Sequence, residues 1–100
     1  MMGHSFGGLT TYRVAGIDDR IKVAVPMAPA VLGEPALTMP SLTVLGGIDS
    51  VVDPEAPQKA FADSAKPKFQ VVVEHSGHYT VSDGCFAGPD CKPPTTLTQP

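Results

Sequence analysis

Two rhythms of apolar and polar residues run along the chain, and punctuation by Gly and Pro separates them. Ile21 to Met27 (Ile-Lys-Val-Ala-Val-Pro-Met) alternates at Val23 and Val25, with Ala24 keeping the other side apolar. That pattern predicts a strand, and Pro26 is expected to mark its end. Ser41 to Leu45 predicts a second short strand, bounded by Pro40 and by Gly46-Gly47. Phe69 to Glu74 predicts a third, whose three successive valines imply burial on both faces, as in a parallel sheet. Between the strands the period lengthens. Ser5 to about Ala15 reads as a helix with Leu9, Tyr12 and Ala15 on one side. Gly7 and Gly8 lower its intrinsic propensity, and Gly16 suits its end. A second helix is expected to open with Asp53 as N-cap and Pro54 at its first position, to tolerate Pro57 in its first turn, and to stop at Pro67. Ala60, Phe61 and Ala65 give it a modest apolar side. Ala28 through Pro40 has no clear period and reads as a Pro-containing connection, either shaping a pocket or lying on the surface. After Ser82 the periodicity is lost in Gly, Pro, Thr and Lys, which predicts an irregular tail. Strands alternating with helices give the α/β class: a parallel sheet with right-handed crossovers.

Composition narrows the function classes. One hundred residues with 42% hydrophobic content make at most one small domain. The formal net charge of −3 and the absence of any Lys/Arg run give no reason to expect nucleic acid. No apolar run approaches the ~20 residues of a membrane helix, so no membrane segment is expected. Cys85 and Cys91 lie in the tail. They are either a small disulfide, which would contribute about 2 kcal/mol and point to an oxidising extracellular or periplasmic setting, or two free thiols. Two thiols without paired spacing make zinc improbable.

The candidate chemistry starts at Gly3-His4-Ser5-Phe6-Gly7, with Gly8 following. This is the G-x-S-x-G pattern of a strand-to-helix elbow that exposes a serine hydroxyl. A Cβ at Gly3 or Gly7 is expected to collide with the turn or the neighbouring strand, and Gly8 to let the helix pack close to the sheet. The Phe6 amide, at the helix N-terminus, is placed to meet a developing oxyanion. A hydroxyl also needs a base, and the base an orienting acid. Asp49, in Gly46-Gly47-Ile48-Asp49, and His78, after Gly77, both fall just past the carboxyl end of a predicted strand, where such sheets carry function. Asp53 competes with Asp49 but is better explained as a helix cap. His75 competes with His78 but continues the strand. His4 is expected to point away from the nucleophile in a structural role.

The order Ser5, Asp49, His78 resembles that of the alpha/beta-hydrolase superfamily. The resemblance rests on Gly3-His4-Ser5-Phe6-Gly7-Gly8, on Met39 through Asp49 and on Ser76-Gly77-His78-Tyr79. Within the superfamily the chain is similar to bacterial serine esterases of the dienelactone-hydrolase-like and platelet-activating-factor-acetylhydrolase-like kinds. Through Ile21 to Met27 and the G-x-x-D region it is also similar to cutinase-type polyester hydrolases. True dienelactone hydrolases carry Cys where Ser5 stands, so that likeness does not fix the substrate. The resemblance implies Ser5 as nucleophile, Asp49 as acid and His78 as base in hydrolysis of small-molecule carboxylic esters through an acyl-enzyme. It implies no metal or organic cofactor. The alternatives are a non-catalytic remnant, a hydrolase-fold binding protein and a polyester- or cutin-like substrate.

Only Met1 and Met2 precede the motif, whereas an elbow serine is expected to follow a buried strand of roughly five residues. The chain therefore reads as the C-terminal portion of a larger fold: a partial hydrolase domain over 1–84 and a tail over 85–100, with the N-terminal strands missing. Neither the strand before Ser5 nor a second oxyanion donor is expected here, so poor solubility and slow turnover are expected of the chain alone.

Overall fold

The computed structural model describes residues 1–82. In chain order the elements are β1 (Met2–His4), α1 (Phe6–Ala15), β2 (Val25–Met27), β3 (Ser41–Gly46), α2 (Glu55–Asp63) and β4 (Lys68–Val73). The four strands form one sheet in the order β1-β2-β3-β4, and every pairing is parallel. This is the α/β architecture that the sequence predicts. Cys85 and Cys91, and with them any bridge between them, lie outside the described residues.

Several boundaries differ from expectation, and three of the differences have a physical reason. A strand does precede Ser5: Met2–His4 pairs with Val25–Met27, and the Met1 ammonium donates to the Val23 carbonyl at 2.8 Å. It is short, and a strand needs a partner for every ladder hydrogen bond. So β2 is also three residues, not seven, and Ala24 is joined only by an isolated bridge to Ser41. The second helix begins at Glu55 with Pro54 at its N-cap, one residue later than expected. Asp53 still serves that helix end, because its carboxylate accepts the Glu55 N–H at 2.9 Å.

Strand alternation sorts the core. Ser41, Thr43 and Leu45 are buried on one side of β3. Beside them Tyr12 and Ala15 of α1, Ala24, Val31 and Leu37 of the connections, and Ala60 of α2 form the apolar core, with Ile21 and Met39 packed against it. Leu9, Tyr12 and Ala15 are buried as their spacing predicts. Each such side chain contributes on the order of 1.5–3 kcal/mol for the larger ones. Ser64 closes the layer: its hydroxyl donates to Ala60 O at 2.7 Å and accepts the Leu37 N–H at 3.1 Å.

The opposite face behaves differently. The register pairs Leu42 with Phe69 and Val44 with Val71, which places all four on one side. Phe69 is 66% exposed and Val71 45%. The expected burial of the valine run on both faces is therefore not met. A parallel strand is buried twice only when layers lie on both sides, and among the described residues no layer covers this side at β4.

Candidate active site

Ser5 sits in the single-residue joint between β1 and α1, with φ 57° and ψ −114°. This left-handed backbone costs a non-glycine residue roughly 1–3 kcal/mol and persists only where its surroundings enforce it. Here the Ser5 N–H donates to Met27 O at 3.0 Å, and the Ser5 carbonyl accepts the N–H groups of Leu9 and Ala30, each at 3.1 Å. Close approach explains Gly3, where a Cβ would overlap the Gly7 carbonyl. Gly8 meets Pro29 in the same way. Gly7 differs from expectation: a Cβ there would meet nothing within 4 Å. Its backbone, not its lack of a side chain, is what Gly3 must accommodate.

The acid and the imidazole arrive from the other strands. Asp49 follows β3 in a tight loop, where its Oδ1 accepts the N–H groups of Val51 and Val52, each at 2.9 Å. Those two bonds fix the carboxylate plane and aim Oδ2 at His78 Nδ1, 2.8 Å away. His78 has further to come. It follows β4, and β1 and β4 are opposite edges of the sheet. The loop after β4 must cross the carboxyl ends of β3 and β2 to reach Ser5. It is fastened on the way: Ile48 N–H donates to Ser76 O at 3.0 Å, and Gly77 N–H to Thr80 Oγ1 at 3.0 Å. It passes so close to the end of β3 that a Cβ on Gly46 would lie 2.6 Å from Ser76 O. The crossing ends with His78 Nε2 at 2.8 Å from Ser5 Oγ.

The imidazole is 1% exposed and the Asp49 side chain 6%. With the Nδ1 proton donated to Asp49, Nε2 is left as the acceptor for the Ser5 hydroxyl. A buried carboxylate and imidazole in series with a half-buried hydroxyl form an arrangement able to move a proton away from oxygen.

The other candidates are placed as follows. Asp53 caps α2. His75 is exposed in the turn after β4, at φ 60°. Phe6 is the first residue of α1, and its N–H belongs to the first turn, where an α-helix offers no acceptor of its own. His4 does not point away as expected. Its Nε2 lies 2.6 Å from the His78 carbonyl oxygen, and its ring centroid is 4.8 Å from that of His78. Tyr79 sets its ring edge against both, at 4.9 Å from His78 and 6.0 Å from His4. Periodicity carries no trace of this three-ring cluster. Its only signal in the chain is that His4 directly precedes the serine and Tyr79 directly follows the histidine. Among the described residues no group of three or more His, Cys, Asp or Glu side chains comes together as a metal site. No helix there is long and apolar enough to cross a membrane.

No family model matches the chain, and no curated protein matches it in sequence. Solved structures do. The esterase domain of a Rhodothermus marinus protein superposes with a TM-score of 0.66 at 19% identity, covering 77% of this chain and 49% of that one. The alpha/beta hydrolase GrgF from a Penicillium species gives 0.67 at 14%, covering 82% and 57%. A Klebsiella pneumoniae protein described as a dienelactone hydrolase gives 0.67 at 18%, covering 97% and 48%. The chain thus spans about half the length of the structures it resembles.

Proposed function

On this alpha/beta-hydrolase fold, of which the chain carries a part, we propose that Ser5, His78 and Asp49 hydrolyse carboxylic esters through an acyl-enzyme. The observation that carries the reading is the continuous hydrogen-bonded series at the strand ends, with 2.8 Å on each side of the imidazole. In the first half-reaction Ser5 Oγ forms a bond to the ester carbonyl carbon while its proton passes to His78 Nε2. The tetrahedral intermediate collapses, the bond to the alcohol oxygen breaks, and the leaving alkoxide takes that proton. Water then repeats the sequence and releases the carboxylic acid and free Ser5. Asp49 holds the imidazole in the tautomer that accepts at Nε2 and stabilises its cation. Phe6 N–H is the one oxyanion donor this reading assigns. Esterase and hydrolase neighbours support an ester substrate of small-molecule size.

Phosphonylation of the serine needs only the first half-reaction. Covalent labelling is therefore the decisive experiment. A fluorophosphonate is added to the chain, to Ser5→Ala and to His78→Ala, and the label is mapped by peptide mass. The expected result is modification at Ser5, none in Ser5→Ala, and a rate in His78→Ala lower by at least about 10³-fold. Equal labelling of Ser5→Ala, or a Ser5 no more reactive than the chain's other serines, would overturn the reading.

A further inference from the structure

We propose that His4 is a positioning residue for the base: its Nε2–H holds the backbone of His78, tying the imidazole to the same turn that presents Ser5. The inference rests on the ester-hydrolase reading above and adds to it a residue with no part in the proton relay.

The need follows from the topology. His78 belongs to a loop that leaves the far edge strand and ends its crossing above β1. Two side-chain bonds of 2.8 Å orient its ring, but neither fixes the peptide from which the ring projects. That peptide is held on its N-terminal side by Gly77 N–H on Thr80 Oγ1. On its C-terminal side the His78 carbonyl accepts from His4 Nε2 at 2.6 Å. A carbonyl only accepts, so His4 carries its proton on Nε2. The two rings also pack at 4.8 Å with a 42° tilt, and Tyr79 closes the third side. This limits the swing of the base about its side-chain torsions.

His4 is the last residue of β1 and the chain neighbour of Ser5. Any displacement of the elbow therefore carries the anchor with it, and the anchor carries the base. The distance that matters, Ser5 Oγ to His78 Nε2, is preserved by a bond that touches neither atom. Removing the donor should leave the fold in place and loosen that distance. Misplacements near 1 Å cost on the order of 10²-fold, so a loss of about 10- to 30-fold is expected for partial loosening.

The test compares His4→Phe, which keeps a ring without a donor, with His4→Gln, which keeps an N–H of similar reach. The full chain is used, with Ser5→Ala alongside. Fluorophosphonate kinetics separate kinact from KI, and proton NMR follows the His78 Nδ1–H that is shared with Asp49. His4→Phe is expected to lower kinact about 10- to 30-fold with KI within about twofold, and to broaden the Nδ1–H signal. His4→Gln should restore both to within about threefold of wild type. If His4→Phe does not fold, His4→Met against His4→Gln gives the same comparison at matched length. Wild-type kinact and an unchanged Nδ1–H in the donor-free variant would overturn the inference. Equal losses in Phe and Gln that track the melting temperature would do the same. Failure of the hydrolase reading looks different: Ser5→Ala labels like wild type, and the NMR comparison alone then decides the role of His4.

Discussion

Gly46→Ala places one methyl group where β3 ends and the loop bearing His78 passes over it. The added Cβ would lie 2.6 Å from Ser76 O, 3.0 Å from Gly77 O and 3.2 Å from the Ser76 carbonyl carbon. Ordinary contacts of this kind begin near about 3.4 Å, so the loop must lift by roughly 0.8 Å. All three obstructing atoms are backbone, so no side chain can rotate away to relieve the overlap. Ser76 and Gly77 directly precede His78, and the lift is passed on to the imidazole. It cannot keep 2.8 Å contacts on both sides, because Asp49 is fixed by the Val51 and Val52 amides and Ser5 by the strand-to-helix joint. A displacement close to 1 Å is worth about 10²-fold in rate, or roughly 2.7 kcal/mol in the barrier. Overpacking adds a stability cost of about 1–3 kcal/mol. The assay is kinact for a fluorophosphonate, with the folded fraction set by circular dichroism at each temperature. A variant that labels Ser5 within threefold of wild type, while melting at the same temperature, would refute the reasoning that this crossing point positions His78.

Two further outcomes follow from the same geometry. Gly7→Ala should fold at least as well as wild type and gain up to about 1 kcal/mol, because α1 gains helix propensity and the methyl enters open space; a drop in melting temperature would refute this. Glu34→Gln should cost about 1 kcal/mol at neutral pH, or several degrees of melting temperature, because the Glu34 carboxylate, 7% exposed, pairs with Arg13 and accepts the Leu32 N–H at 2.7 Å. Burial pushes the Glu34 carboxyl up, but the Leu32 amide, its own amide and Arg13 outweigh it and hold the group below the usual carboxylate range. A depressed folded-state value means the contribution is present above the unfolded value and is lost as pH falls through the folded one. The deficit of Glu34→Gln should thus shrink in acid, and an equal deficit at pH 7 and pH 3 would refute it.

The features legible in the sequence were those set by local chemistry. Gly3 through Gly8 marked the joint between strand and helix, Pro40 and the Gly46-Gly47 pair located β3 to within one residue, and Leu9, Tyr12 and Ala15 gave the buried side of α1. What escaped was set by partners. The length of β2 is limited by β1 across the ladder, not by anything in Ile21 to Val23. Whether Val71 is buried depends on a covering layer, and hydrophobicity cannot say whether one is there. Gly7 fits the motif, but only the backbone geometry shows that Gly3 is the residue under steric constraint. For His4 a structural role pointing away from the nucleophile was expected, with no partner named. Its partner is a carbonyl from the other end of the sheet, which no local pattern encodes.

The strand order has a consequence for the timing of reactivity. Because β1 and β4 are the two edges among the described strands, the Ser5 hydroxyl and the His78 imidazole it meets are separated by 73 positions along the chain. At synthesis rates of about 5–20 residues per second, roughly 4 to 15 s pass between their emergence. Throughout that interval the Ser5 hydroxyl has no His78 imidazole to meet. On the proposed reading, reactivity at Ser5 would switch on only once β4 has docked and its loop has crossed the sheet, so a reactive Ser5 would report that these four strands have assembled.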